Sequence, residues 1–238
     1  YIVLGDLIAE QNQALDFDYI SNAVKTNSVY KLPGIFYIIR INKPKGFIHI
    51  YSSLFNLLPI YYCVDGSEII ASSCISKIIE FKGRDFFEID KQYILERLFF
   101  NYSLFNRTHF EQIKLVKANY FLQIEETVRE VKQFEISDLF VKTPIKGRGV
   151  LKQLSKLFVQ RAKTYLPNEK FALSFTSGFD GRTLLSISQH YSMEVNAYAF
   201  GTKDSDDLTI PQQQAELLKI PFDSILLNSN YVHNYSFQ

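Results

Sequence analysis

The stretch that decides the reading of this chain is Phe171-Ala-Leu-Ser-Phe-Thr-Ser-Gly-Phe-Asp-Gly-Arg-Thr-Leu-Leu185. The apolar run from Phe171 to Phe175 reads as a buried strand. It gives way to a turn of small, hydroxyl-bearing residues, Thr176-Ser177-Gly178, followed by Asp180 and Gly181. Leu184, Leu185, Ile187 and Tyr191 then fall at helical spacing. Strand, small-residue turn, helix is the arrangement that aims backbone N–H groups and a helix N-terminus at an anion. One expectation is therefore a phosphate site, and with it a nucleotide. The other is an ordinary strand–turn–helix connection in an α/β domain.

The residues that follow keep the same alternation. A strand over 193–200, a helix over 209–218 and a strand over 223–227 complete a βαβαβ pattern. That pattern specifies a parallel sheet with right-handed crossovers. Ligands of such sheets bind beyond the carboxyl ends of the strands, here 176–182 and 201–207. Upstream, Leu151, Leu154, Leu157, Phe158, Ala162 and Tyr165 mark a helix over 150–166 that Pro167 closes. The basic, turn-rich segment 141–149 reads as a linker.

The first 140 residues carry β signals instead. Gly34–Ile41 and Phe47–Tyr51 flank a Lys-Pro-Lys-Gly turn and read as a hairpin. Pro59–Val64 and Ile69–Ser73 flank Asp65-Gly66 and read as a second one. Residues 90–100 read as a helix, with Asp90 as cap and Tyr93, Ile94 and Leu98 as its apolar positions. Short strands are expected at 113–116 and 119–124 around a turn, with the pattern continuing through 128–134. The fold class is thus α+β over 1–140 followed by α/β over 150–238.

Composition excludes several classes. At 47% hydrophobic and 21% charged, the chain is globular rather than disordered. A net charge of +1 offers no electrostatic footprint for nucleic acid. No apolar stretch approaches the ~18 residues of a membrane span, and no secretory signal is visible at the start. Cytoplasmic location is the default expectation. Cys63 and Cys74 lie in apolar, strand-like runs and read as buried reduced thiols. The four histidines, His49 and His190 among them, form no recognisable catalytic constellation.

The turn lacks the lysine and spacing of a Walker A loop, and it lacks the dinucleotide fingerprint. It resembles the pyrophosphate loop S-G-G-x-D-S of N-type ATP pyrophosphatases. Thr176 stands for the first Ser, Ser177 and Gly178 for the two Gly, Asp180 for the Asp and Gly181 for the last Ser. The likeness extends along the chain, which resembles a divergent asparagine synthetase B family member. Leu32-Pro-Gly-Ile-Phe-Tyr-Ile-Ile39 is similar to the family's L-x-G-x-F-A-F-A segment, and Leu58-Pro-Ile-Tyr-Tyr62 to its P-L-Y-Y. Ile70-Ala-Ser-Ser73 is similar to its f-a-S-E strand, and Thr108–Ile113 to its threonine-containing stretch. Tyr198-Ala-Phe-Gly201, with Asp207 and Ala215, resembles its next strand and helix.

The resemblance implies an N-terminal αββα, Ntn-hydrolase-like amidotransferase sandwich. A parallel-sheet PP-loop domain, of the adenine nucleotide alpha hydrolase-like type, follows it. It further implies that the chain opens inside the first domain, past any Cys nucleophile, and stops partway through the second. Two departures argue against glutamine hydrolysis. Leu4 stands at the family's oxyanion-hole Asn, and Tyr30-Lys31 stands where an acidic residue holds the glutamine amine. Gly5 is kept, the following Glu becomes Asp6, and Ser52, Ser53 and Asn56 replace the family's Arg-Asp and Gly.

For the second domain the implied chemistry is carboxylate adenylation with ATP and Mg²⁺. Thr176 and the N–H groups of Ser177, Gly178 and Gly181 would cradle pyrophosphate, and Asp180 would support Mg²⁺. The other reading of Asp180 is a helix cap. Arg182 would meet a phosphate or a carboxylate, or simply face solvent. Ser174 and Phe200 would flank the adenine. Asp206 and Asp207 read first as helix caps. The implied partners are a small-molecule or peptide carboxylate and an amine, and a homodimer stays open. Set beside this ATP-dependent, AMP-forming ligase is a non-catalytic family member that binds a peptide or partner, motivated by Ser177 and Gly181. Glutamine-dependent asparagine synthesis is the least favoured reading.

Overall fold

A computed structural model describes residues 1–8, 16–140, 146, 147 and 149–235. The chain divides into two compact units, Tyr1–Pro144 and Ile145–Gln238. Most of the segment read as a linker, residues 141–145 and 148, lies outside the described residues.

The first unit runs β1 (Ile2–Leu7), α1 (Phe17–Lys25), β2 (Gly34–Asn42), β3 (Phe47–Ser52), β4 (Tyr61–Asp65) and β5 (Glu68–Ser72). It continues with α2 (Ile75–Lys82), α3 (Lys91–Phe100), β6 (Ile113–Leu115), β7 (Tyr120–Ile124) and β8 (Val128–Lys132). The strands form two antiparallel sheets, β1-β2-β3-β7-β8 and β5-β4-β6. Side chains alternate along each strand, so neighbouring residues enter different cores. In β2, Phe36 and Ile38 pack with Ile20, Ala23 and Val24 of α1, while Tyr37 between them packs with Ile60, Tyr62 and Leu122. In β4, Tyr62 joins that same middle cluster, while Tyr61 and Cys63 pack with Ile78 of α2. The layers are helix, sheet, sheet, helix. Burial on both faces explains why β2 reads as an unbroken apolar run rather than an alternating one.

Both expected hairpins form. In the second, Asp65 still pairs with Glu68, so the two-residue loop is Gly66-Ser67, with Gly66 at φ 57°. Cys74 differs from expectation. It is exposed, at the residue preceding α2, because the chain has left the sheet at Ser72. The two short strands expected around a turn, at 113–116 and 119–124, enter different sheets: β6 joins β4, and β7 joins β3.

The α3 helix starts where expected, with Asp90 Oδ1 accepting the Tyr93 N–H at 2.9 Å. Its packing face is not the expected apolar one. Glu96 is the buried residue, while Ile94 is 41% and Leu98 75% exposed. Glu96 accepts from the Leu104 N–H (2.9 Å), Ser103 Oγ (3.2 Å) and Arg107 Nε (3.2 Å). Arg107 also reaches Asp90 at 3.5 Å. A carboxylate can be buried at this low exposure only when paired and hydrogen-bonded. Satisfying Glu96 therefore sets the rotation of α3 and folds 103–107 back onto it.

The second unit runs α4 (Val150–Tyr165), β9 (Phe171–Ser174), α5 (Phe179–His190), β10 (Val195–Gly201), α6 (Asp206–Leu218), β11 (Phe222–Leu226) and α7 (Ser229–Tyr235). The expected parallel sheet is present in the order β11-β10-β9. Its core gathers Leu173, Phe175, Leu185, Val195 and Ala197. The α4 helix forms, but the apolar positions at its helical spacing are not buried; Leu151 is 77% exposed.

Two substitutions test these constraints. Gly34 has φ +129°, and a Cβ there would lie 2.1 Å from the Asp6 carbonyl oxygen across the β1–β2 pair. Gly34→Ala is expected to destabilise the first unit by about 2–3 kcal/mol through strain and overlap, read as a lower urea midpoint by circular dichroism. Glu96→Ala leaves the Arg107 Nε, the Ser103 hydroxyl and the Leu104 N–H without their acceptor. The expected loss is about 3 kcal/mol, with faster proteolysis of 101–107 as the second readout.

Candidate functional site

The site is built at the carboxyl end of β9. The Phe175 N–H donates to the Tyr198 carbonyl at 2.7 Å, holding the chain beside β10 for one residue past the strand. Phe175 is buried. The chain then turns through Thr176-Ser177-Gly178, and Gly178 (φ −66°, ψ 157°) is the residue that precedes α5.

The turn's donors are unevenly committed. The Gly178 N–H is taken by Thr176 Oγ1 at 3.2 Å. The Ser177 N–H and Ser177 Oγ both donate to Asp207 Oδ1, at 3.3 and 2.7 Å. The N–H groups of Phe179, Asp180 and Gly181 have no acceptor among the described residues, and no side chain caps α5. These three donors lie at the positive end of a 12-residue helix.

Gly181 explains how the helix comes so close to the strand. A Cβ at this position would lie 2.9 Å from the Ser174 carbonyl oxygen and 3.5 Å from Phe175 Cα. The first turn of α5 is thus seated against the backbone of β9, nearer than a residue with a Cβ permits. Gly178 and Gly181 both have ordinary negative φ, so it is room rather than backbone conformation that selects glycine at 181. Ser177, too, carries no positive φ, so its Cβ introduces no strain in the turn.

The other expected site residues fall around this turn as follows. Asp180 lies in the first turn of α5, exposed; the cap position is Gly178, so the capping role considered for Asp180 is not found. Arg182 is exposed, and its Nε donates to the Gly178 carbonyl at 3.2 Å, which ties its guanidinium to the turn. Ser174 is the last residue of β9, paired with Tyr198, and exposed. Phe200, near the end of β10, is 49% exposed. Asp206 and Asp207 occupy the first turn of α6, but Ser205 precedes the helix, and Asp207 turns away to Ser177 instead of capping. Spacing along the chain could not have shown that bond, because its partners are 30 residues apart.

In the first unit, Ser52 and Asn56 make hydrogen bonds to backbone carbonyls, whereas the buried Ser53 hydroxyl has no hydrogen-bond partner among the described residues. Ser52 Oγ donates to the Leu58 carbonyl at 2.8 Å. Asn56, at φ 48°, donates from Nδ2 to the Lys117 carbonyl at 2.7 Å. Asn tolerates the left-handed region better than most residues, so this φ carries little strain there. Tyr30 stacks on Phe134 with ring centres 4.5 Å apart, and Lys31 Nζ lies 5.6 Å from the Tyr30 ring centre. Leu4 is half exposed, with only a hydrocarbon side chain to present. No group of three or more His, Cys, Asp or Glu side chains gathers among the described residues.

No protein-family model matches the chain, and no curated protein matches it significantly.

The close seating of α5 has a direct test. Gly181→Ser, which restores the hydroxyl of the loop this turn resembles, introduces a Cβ against backbone. It is expected to lower the stability of the second unit by about 1–3 kcal/mol, seen as an earlier urea transition with the first unit's transition unchanged.

Proposed function

We propose that this chain is an asparagine-synthetase-like, ATP-dependent ligase that activates a carboxylate as its adenylate, releases pyrophosphate, and passes the acyl group to an amine that does not come from glutamine. The observation that carries this reading is the set of three N–H groups at the head of α5, beyond the carboxyl end of a parallel strand, that have no acceptor among the described residues. On this reading the second unit is a PP-loop domain, and the first an Ntn-hydrolase-like sandwich kept for structure. The helix–sheet–sheet–helix layering of the first unit and the hydrocarbon side chain at Leu4 support that assignment.

The cradle differs from the one the resemblance implies. Ser177 and Gly178 have committed their N–H groups, so Phe179, Asp180 and Gly181 take the phosphate oxygens, with Thr176 Oγ beside them. The residues present fit Mg²⁺, a hard cation that binds through one or two carboxylates and substrate phosphate oxygens. Asp180 is exposed and its side chain makes no hydrogen bond among the described residues, and Asp207, in the first turn of α6, is bonded to Ser177 of the same turn. Bound there, Mg²⁺ would offset charge building on the leaving pyrophosphate. Arg182 orients toward the same anion, and Ser174 with the exposed Phe200 flanks the adenine. The substrates are a small-molecule or peptide carboxylate and an amine, met in the cytoplasm.

A second reading keeps the fold without the reaction, as a protein that binds a peptide or partner. The Asp207 carboxylate on the Ser177 N–H favours it, since an acidic group already occupies one donor of the turn.

Calorimetry with ATP·Mg²⁺ separates the two. The ligase reading expects a saturable signal at micromolar affinity that Asp180→Ala weakens at least tenfold, and carboxylate-dependent ATP–pyrophosphate exchange by the intact protein. Absence of both ATP binding and exchange across a broad carboxylate and peptide panel leaves the binding reading standing.

A further inference from the structure

We propose that Asp207 is a positioning residue that acts as an internal anion. It holds the Ser177 turn by two hydrogen bonds and sets the affinity of the cradle for phosphate by competing with it. The inference rests on the phosphate reading of the turn given above, and adds to it a control that no local motif carries.

Three observations converge on it. Asp207 sits in the first turn of α6, where a carboxylate is already favoured by the helix N-terminus. It nevertheless makes its hydrogen bonds to Ser177, 30 residues earlier, taking both the N–H and the hydroxyl on one oxygen, Oδ1. A carboxylate receiving a backbone N–H and a short hydroxyl bond reproduces what a phosphate oxygen asks of such a turn. Finally, beyond the Gly178 N–H, which Thr176 takes, the donors Phe179 to Gly181 have no acceptor among the described residues. A fixed negative charge thus occupies the first N–H of the turn, while the last three of its five remain available.

Two consequences follow from charge alone. Pyrophosphate on the free donors shares the turn with the Asp207 carboxylate held at Ser177, and like charges about 4 Å apart oppose each other by about 1 kcal/mol per pair even in water. The repulsion weakens as salt rises, because the group is exposed. The Ser177 side chain contributes separately. Its hydroxyl is the shorter of the two bonds, so it holds the carboxylate over the turn; glycine at this position would leave only the longer N–H contact.

The test is calorimetric titration of inorganic pyrophosphate, without metal, into the chain and into Asp207→Asn and Ser177→Gly at two salt concentrations. Asp207→Asn keeps the shape and an acceptor oxygen while removing the charge. It is expected to bind pyrophosphate about tenfold more tightly than the parent, with the gap narrowing at high salt. Ser177→Gly, which loosens the carboxylate without removing it, is expected to gain severalfold and serves if Asp207→Asn does not fold. Equal or weaker binding by the folded Asp207→Asn protein, or a gain that does not respond to salt, overturns the role given to Asp207. No heat from any of the three proteins overturns the phosphate reading beneath it, and the competition with it.

Discussion

The contact on which the second unit depends is the approach of α5 to β9 at Gly181. Without a Cβ, the helix's first turn rests on the Ser174 carbonyl and the Phe175 backbone, where any side chain would meet the carbonyl oxygen at 2.9 Å. That seating decides where the N–H groups of Phe179, Asp180 and Gly181 point, and hence where an anion can be held. It also changes what Gly181 means. Beside the loop it resembles, glycine at this position reads as the loss of a hydroxyl. In the folded chain it is a packing residue, and its backbone donor remains open.

Around that contact the turn is governed by competition for donors. Of five consecutive N–H groups from Ser177 to Gly181, the first two are satisfied, by Asp207 and Thr176, and the last three have no acceptor among the described residues. A turn whose donors were all satisfied internally would be a plain connection, and one with all of them open would be a plain anion cradle. This one lies between, which is why ligase and binding-protein readings both find an observation to stand on.

What the sequence made legible follows physical period and range. The βαβαβ order emerged because each element of the second unit is short and bounded by turn residues, and the observed strand bounds differ from the expected ones by one or two residues. The hairpins of the first unit emerged because strands buried on both faces are densely apolar and interrupted only at their turns. Burial within helices was harder to read. The rotation of α3 follows the needs of Glu96 and Arg107, 11 residues apart, rather than the apolar positions Ile94 and Leu98. The separation of β6 and β7 into different sheets, and the Asp207–Ser177 bond, are likewise decided by partners distant in sequence. At the site, the strand, the turn and the position of Asp180 were legible; which donors stay open was not.

The central claim is that the head of α5 holds a phosphate group, and backbone amide shifts report on it directly. In a nitrogen–proton correlation spectrum of the chain titrated with pyrophosphate and Mg²⁺, the amides of Phe179, Asp180 and Gly181 should move together and saturate, with Ser177 moving as Asp207 is displaced. Shifts confined to other surfaces, or no shift at these amides at millimolar pyrophosphate, would contradict the account.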